Sequence, residues 1–193
     1  MRVEIKNNYK KKIPEWLISE LNGDMLLANL LLNRGINTKE KLESFLYPAK
    51  YEAIDPDEFS NMNSTIKRLL KAIDENEKII IYGDYDVDGV TSTSIFMSFL
   101  KKFNVEVDYH IPDRFKEGYG MSKNVIRDIA DNFDLILSCD CGISNYEEIK
   151  LAKKLGLDVI VTDHHDLPEK LPPADFILTP KFLPTDNRAH DLP

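Results

Sequence analysis

The stretch KIIIYGDYDVDGVTSTSI, residues 78–95, decides the fold. Its first five residues are a continuous β-prone apolar run, as expected of a strand buried on both faces of a sheet. An acidic turn bounded by Gly83 and Gly89 follows at once, and then a Thr- and Ser-rich opening into a helix. The apolar face of that helix is Ile95, Phe96, Phe99, Leu100 and Phe103. Further strands are expected at Val105–Ile111, Asp134–Ser138, Asp158–Thr162 and Phe176–Thr179, all read as buried on both faces. Between them, Val125, Ile126, Ile129 and Phe133 mark a second helical face. A third helix is capped by Asn145 with Glu148 three residues on, as in a capping box, and is closed by Gly156. Strand–helix alternation at this spacing predicts an α/β fold with a parallel, helix-covered sheet.

Upstream, residues 14–76 read as helical. Leu26, Leu27, Leu30 and Leu31 form one apolar stripe, and Met62, Ile66, Leu69, Leu70 and Ile73 form another. A stretch punctuated by Tyr47-Pro48 and Asp55-Pro56-Asp57 reads as loop between them. The expected organisation is therefore a helical extension over 1–76 and an α/β domain over 77–193. The last stretch, Leu183 to Pro193, shows no closing element, so the domain reads as cut.

Composition bounds the function. The 193 residues are 42% hydrophobic and 30% charged, as in ordinary globular proteins. The start, Met1 to Lys12, is lysine-rich without the apolar core of a secretory signal. The apolar run Met25 to Leu32 is far too short for a membrane span. The two cysteines, Cys139 and Cys141, stand too close for an unstrained disulfide and read as small core fillers in a reducing cytoplasm. A net charge of −8 is the opposite of a basic nucleic-acid footprint. Either the chain does not bind nucleic acid, or it carries chemistry around a divalent cation while another segment grips the strand.

Three features carry chemistry. Asp84, Asp86 and Asp88 place three mutually repelling carboxylates within five residues, and such hard oxygen donors are neutralised most simply by Mn²⁺ or Mg²⁺. The alternative is a solvated acidic turn. The glycines on either side allow a sharp turn. Thr91 and Ser92 open the helix, whose free N–H groups offer a phosphate site. Asp140, in Cys139-Asp140-Cys141-Gly142, ends a strand as either a ligand or a helix cap. His164 and His165, in Thr162-Asp163-His164-His165-Asp166, are either imidazole ligands or an ordinary surface pair. All three features follow strands, at the carboxyl edge where open parallel sheets bind ligands, preferably at a topological switch point. That coincidence favours one shared site.

In this order, DYDVDG at 84–89, DCG at 140–142 and DHH at 163–165 resemble the motif set of the DHH phosphoesterases. The wording "IPDRFKEGYGMS", "CDCGIS" and "VIVTDHHDLPEKLPPADFILTPK" is similar to the branch that degrades single-stranded DNA from its 5′ end in repair and recombination. Upstream, "LLANLLLNRGI", "FLYP" and "IDPDEF" are similar to the same branch. The resemblance implies a five-stranded parallel sheet and a two-metal phosphodiester hydrolase with Mn²⁺ or Mg²⁺ ions ~3.5–4 Å apart. It implies Asp84, Asp86, Asp88, Asp140 and His164 as ligands, Asp140 bridging, and His165 facing the scissile phosphate. Arg114, Thr91 and Ser92 become substrate contacts, with a surface ion pair as the alternative for Arg114. Single-strand-binding protein and repair helicases are the implied partners, and the bacterial cytoplasm the implied compartment. The family places a further ligand aspartate and a strand-gripping domain downstream, so these 193 residues alone are expected to be inactive. Two other readings compete: a relative acting on short oligonucleotides, cyclic dinucleotides or pyrophosphate, and a non-catalytic replication scaffold. The pyrophosphatase relatives carry a histidine where this chain has Tyr82, and Thr179-Pro180-Lys181 departs from the branch's usual Asn-Pro-Lys.

Overall fold

The structure, a computed structural model, describes residues 12–47, 49, 53–185, 187, 189 and 190. The start of the lysine-rich N-terminus, Pro48 of the loop and the last three residues lie outside them. The chain forms two compact units, Met1–Ala53 and Ile54–Pro193.

The first unit contains α1 (Glu15–Glu20), α2 (Met25–Asn33) and α3 (Lys39–Leu46). Leu17, Leu21, Ala28, Leu31 and Leu42 form its core. Of the expected stripe on α2 only Leu31 is buried; Leu26, Leu27 and Leu30 are exposed, because the buried face runs through Ala28 and Leu31 instead. Asp24 and Thr38 cap α2 and α3 by accepting from the amides of Leu27 and Lys41.

The second unit begins before residue 77. Helix α4 (Met62–Asp74) lies on its sheet, with Leu69, Ala72 and Ile73 packed into the core. The sheet has five parallel strands in the order β2-β1-β3-β4-β5. They are β1 (Ile79–Tyr82), β2 (Val107–His110), β3 (Leu135–Cys139), β4 (Asp158–Thr162) and β5 (Phe176–Leu178), joined through α5 (Val87–Leu100), α6 (Lys123–Ile129) and α7 (Tyr146–Lys154). Alternation sorts the strand residues between two layers. Ile79, Ile81, Leu135, Leu137 and Ile160 face α4 and α5. Ile80, Tyr82, Ile136, Val159 and Val161 face α6 and α7. The five-stranded, helix-flanked parallel sheet is the expected one.

Two local expectations change. β2 is an edge strand with Asp108 and Tyr109 exposed, so its apolar run is not buried on both faces. Asn145 stands at the N-cap of α7, but its side chain makes no capping bond, and Glu148 reaches Lys123 at 3.6 Å instead. Asn145 is turned toward Gly120, where a Cβ would meet its Oδ1 at 2.7 Å. Among the described residues, no helix is long and apolar enough to cross a membrane.

Candidate metal centre

The strand order reverses between β1 and β3, which opens a crevice at their carboxyl ends. Register aligns the acids there. Tyr82 of β1 pairs with Ser138 of β3, and Ser138 pairs with Val161 of β4. Asp84, Asp140 and Asp163 each lie two residues beyond these partners, so three aspartates leave the sheet at equivalent positions.

Asp84 is buried, only 1% exposed, and its Oδ1 has no hydrogen-bond partner. Burial, and then the charge of Asp86, raise its carboxyl above the usual range. The backbone around it is tightly packed. A Cβ on Gly89 would run into the backbone of Asp84, and one on Gly83 into the Thr93 hydroxyl. Neither glycine has a positive φ. They are there because α5 comes down directly onto the turn, and not because the turn needs their conformational freedom.

Asp86 is the N-cap of α5, and its Oδ1 accepts from the amides of Asp88 at 3.0 Å and Gly89 at 3.1 Å. Those bonds hold its carboxyl low, the Gly89 amide contributing most. The helix begins at Val87, so the Val90 amide, expected at its free start, is already bonded to the Asp86 carbonyl at 3.0 Å. Thr91 and Ser92 lie further along the helix and turn their hydroxyls back onto the carbonyls of Val87, at 2.7 Å, and Asp88, at 2.6 Å.

Asp140 has a φ of 61°, the left-handed region that aspartate tolerates better than most side chains. Its Oδ1 lies 3.0 Å from Nε2 of His164, while its Oδ2 is buried without a partner. Burial, followed by the neighbouring Asp86, pushes this carboxyl up to about 6.

Asp163 opens the DHH triplet, and only the fold shows its role. It is 7% exposed. Its Oδ2 accepts from the Ile143 amide at 2.9 Å, and its Oδ1 lies 2.7 Å from Nδ1 of His165. Burial works against a charged His165 ring, but the bond and charge of Asp163 outweigh it and hold the ring's pKa above its usual value. Oδ1 therefore orients the second histidine, accepting also from its backbone amide at 3.1 Å, while Oδ2 anchors the aspartate to the chain at Ile143.

The donor atoms gather in two groups, each within 4.8 Å: Asp84, Asp86 and Asp140 in one, Asp140, His164 and His165 in the other. Asp140 belongs to both. Asp88 belongs to neither, but it lines an adjoining cleft of about 430 Å³ together with Thr91, Ser92, Asp140 and His164. Arg114 is exposed, with its guanidinium 5.3 Å from the ring centre of Tyr85, within the acidic turn. Cys139 and Cys141 are buried thiols, as expected of core fillers. The donor set suits a hard or borderline divalent cation, and the partnerless buried oxygens of Asp84 and Asp140 are what such an ion satisfies.

A five-stranded parallel sheet with acidic and histidine ligand candidates at its switch point defines an α/β domain built around a candidate metal centre. Residues 78–188 match the DHH family, N-terminal domain, and the chain belongs to that family. It is 44% identical over 182 residues to the single-stranded-DNA-specific exonuclease RecJ of Bacillus subtilis, spanning 94% of this chain and 23% of the relative. The RecJ of Thermus thermophilus is 34% identical over 152 residues, 79% of this chain and 22% of that protein. Among solved structures, exonuclease RecJ bound to manganese superposes with a TM-score of 0.65 at 32% identity, covering 71% of this chain and 35% of that one. The chain thus spans about a quarter of the length of these curated relatives.

Proposed function

We propose that this domain carries the metal centre of a single-strand-specific 5′→3′ DNA exonuclease that hydrolyses phosphodiester bonds with two Mn²⁺ or Mg²⁺ ions. The observation that carries the reading is Asp140: one carboxylate common to two groups of donors, with a buried oxygen left over. Asp84, Asp86 and Asp140 would hold one ion, and Asp140 with His164 the other. Asp88, at the rim of the cleft, is the remaining ligand candidate of the acidic turn. Bound ions supply Lewis-acid polarisation of the phosphate and a strong oxygen nucleophile at neutral pH. The chain's own groups do the rest. His165, oriented by Asp163, presents its outer nitrogen to the scissile phosphate. Arg114 offers a planar donor fork to a flanking phosphate. Thr91 and Ser92 line the cleft beside the site and bound where the strand can lie.

Similarity to RecJ proteins, in sequence and in a manganese-bound structure, supports both substrate and metal. The same reading places the protein in the bacterial cytoplasm, in repair and recombination, with single-strand-binding protein and repair helicases as partners. The test is release of mononucleotides from 5′-labelled single-stranded DNA by the purified full-length protein with Mn²⁺, beside its Asp140→Ala variant. A panel of cyclic dinucleotides, short oligonucleotides and pyrophosphate separates the reading from its small-substrate relatives. Metal-dependent turnover of the panel without turnover of DNA overturns it.

A further inference from the structure

His165 is held by more than the aspartate two residues before it. The hydroxyl of Tyr119 lies 3.2 Å from its Nε2 and 3.3 Å from its Nδ1. The two rings meet edge to face, with centroids 5.8 Å apart and planes at 75°. Nδ1 is committed to Asp163, so it carries the proton and donates there. The Tyr119 hydroxyl, almost equidistant from both nitrogens, rests over the face of the imidazole and leaves the in-plane lone pair of Nε2 free.

The loop between β2 and α6 is built to present this tyrosine. Gly118 and Gly120 flank it with φ of 86° and 75°, which other residues rarely adopt. Glu117 staples the loop from within, accepting from the Asp113 amide at 3.0 Å and meeting Nε2 of His110 at 2.8 Å. The Ser122 amide closes it by donating to the Tyr82 hydroxyl at 3.0 Å.

We propose that Tyr119 is a positioning residue for His165, an inference that rests on the phosphodiesterase reading above. The bond to Asp163 fixes one ring nitrogen but leaves the imidazole free to pivot about that contact. The hydroxyl and ring edge of Tyr119, arriving from another loop, remove the pivot. The ring then meets the scissile phosphate in one orientation.

Tyr119→Phe tests this, because it deletes one oxygen from a half-exposed side chain and keeps the ring edge. In metal-free protein, ¹⁵N-edited NMR of the imidazoles should show the His165 nitrogen signals displaced and those of His164 little changed. Mn²⁺ affinity, followed by the EPR signal of free Mn²⁺, should stay within about twofold, since the ions would rest on Asp84, Asp86, Asp140 and His164 and not on His165. On single-stranded DNA, kcat should fall about tenfold or more while KM stays within about twofold, the pattern of lost transition-state alignment. Unmoved His165 signals, or an unchanged kcat, overturn the proposal. A full-length wild-type protein that cleaves no DNA sinks the functional reading and this role together, whereas displaced signals with an unchanged kcat sink the role alone.

Discussion

Nε2 of His164 approaches Oδ1 of Asp140 to 3.0 Å, while the other oxygen of the same carboxylate is buried with no partner. One side of this aspartate is satisfied by the protein, and the other is not. A buried unpaired carboxylate oxygen costs the fold several kcal/mol unless it is protonated or meets a cation. Asp84 repeats the arrangement on the neighbouring strand, with its Oδ1 equally buried and bare.

Mn²⁺ should therefore stabilise the folded protein. At a free concentration a hundred times its Kd, one bound ion adds about 2.7 kcal/mol. Thermal unfolding with and without Mn²⁺ measures it, and Asp140→Ala should lose most of the gain because it removes a donor from both groups. An equal rise in melting temperature for both proteins would remove Asp140 from the metal centre.

Without metal, stability should depend on pH through the same carboxylate. Asp140 is pushed up to about 6 from an ordinary value of 3.8, by burial first and Asp86 second. Between those values the folded protein keeps the proton and the unfolded chain has lost it, so stability falls as pH rises through this window. The contribution of Asp140 is thus unfavourable at neutral pH and relieved near pH 4. In EDTA, wild type minus Asp140→Asn should show this slope between pH 4 and pH 6, and a flat difference would mean that Asp140 titrates normally.

The three strand-end motifs were legible because β1, β3 and β4 are buried, and their apolar runs stop where the acids begin. The equal offset of Asp84, Asp140 and Asp163 beyond the paired residues Tyr82, Ser138 and Val161 was not legible, because register belongs to the sheet and not to any one strand. Tyr119 was invisible for a related reason: its partner His165 is 46 residues away, and only the folded loop brings them together. Gly83 and Gly89 were seen as turn residues, but what they avoid is contact with Thr93 and Asp84, which linear spacing does not reveal. The stripe on α2 misled because Leu26, Leu27 and Leu30 are as apolar as Leu31, and only packing selects which of them is buried.

Gly89→Ala follows from that packing. Its Cβ would sit against the Asp84 carbonyl group and amide, all backbone atoms that cannot rotate away. Overpacking of this kind costs about 1–3 kcal/mol. It should also shift the Asp84 carboxylate and so weaken Mn²⁺ binding, a second effect that titration of the variant separates from the loss of stability. A melting temperature and Mn²⁺ affinity equal to wild type would show that α5 slides without penalty.

Asp163→Asn should separate ring orientation from metal binding. Asp163 supplies no donor to either group, and the ions would rest on Asp84, Asp86, Asp140 and His164, so Mn²⁺ affinity should change little. Its Oδ2 accepts from the Ile143 amide and its Oδ1 from both the amide and Nδ1 of His165, and an asparagine has only one oxygen to offer. An oxygen kept on Ile143 turns the asparagine's N–H₂ group against both His165 donors, and an oxygen kept on His165 turns it against the Ile143 amide. Either way the charged bond that orients the ring is lost or weakened. Losing a correctly placed proton donor or acceptor typically costs 10²–10⁴-fold in rate, so kcat should drop about a hundredfold or more. Asp163→Ala should do the same to kcat and, by leaving the Ile143 amide buried and unpaired, cost ~1–3 kcal/mol in stability. Single-turnover hydrolysis, imidazole ¹⁵N shifts and thermal unfolding of the two variants check the three parts independently. If Asp163→Asn bound Mn²⁺ normally and cleaved DNA at the wild-type rate, His165 would have no part in the chemistry, and Asp163 would be only a fastening between the end of β4 and the chain at Ile143.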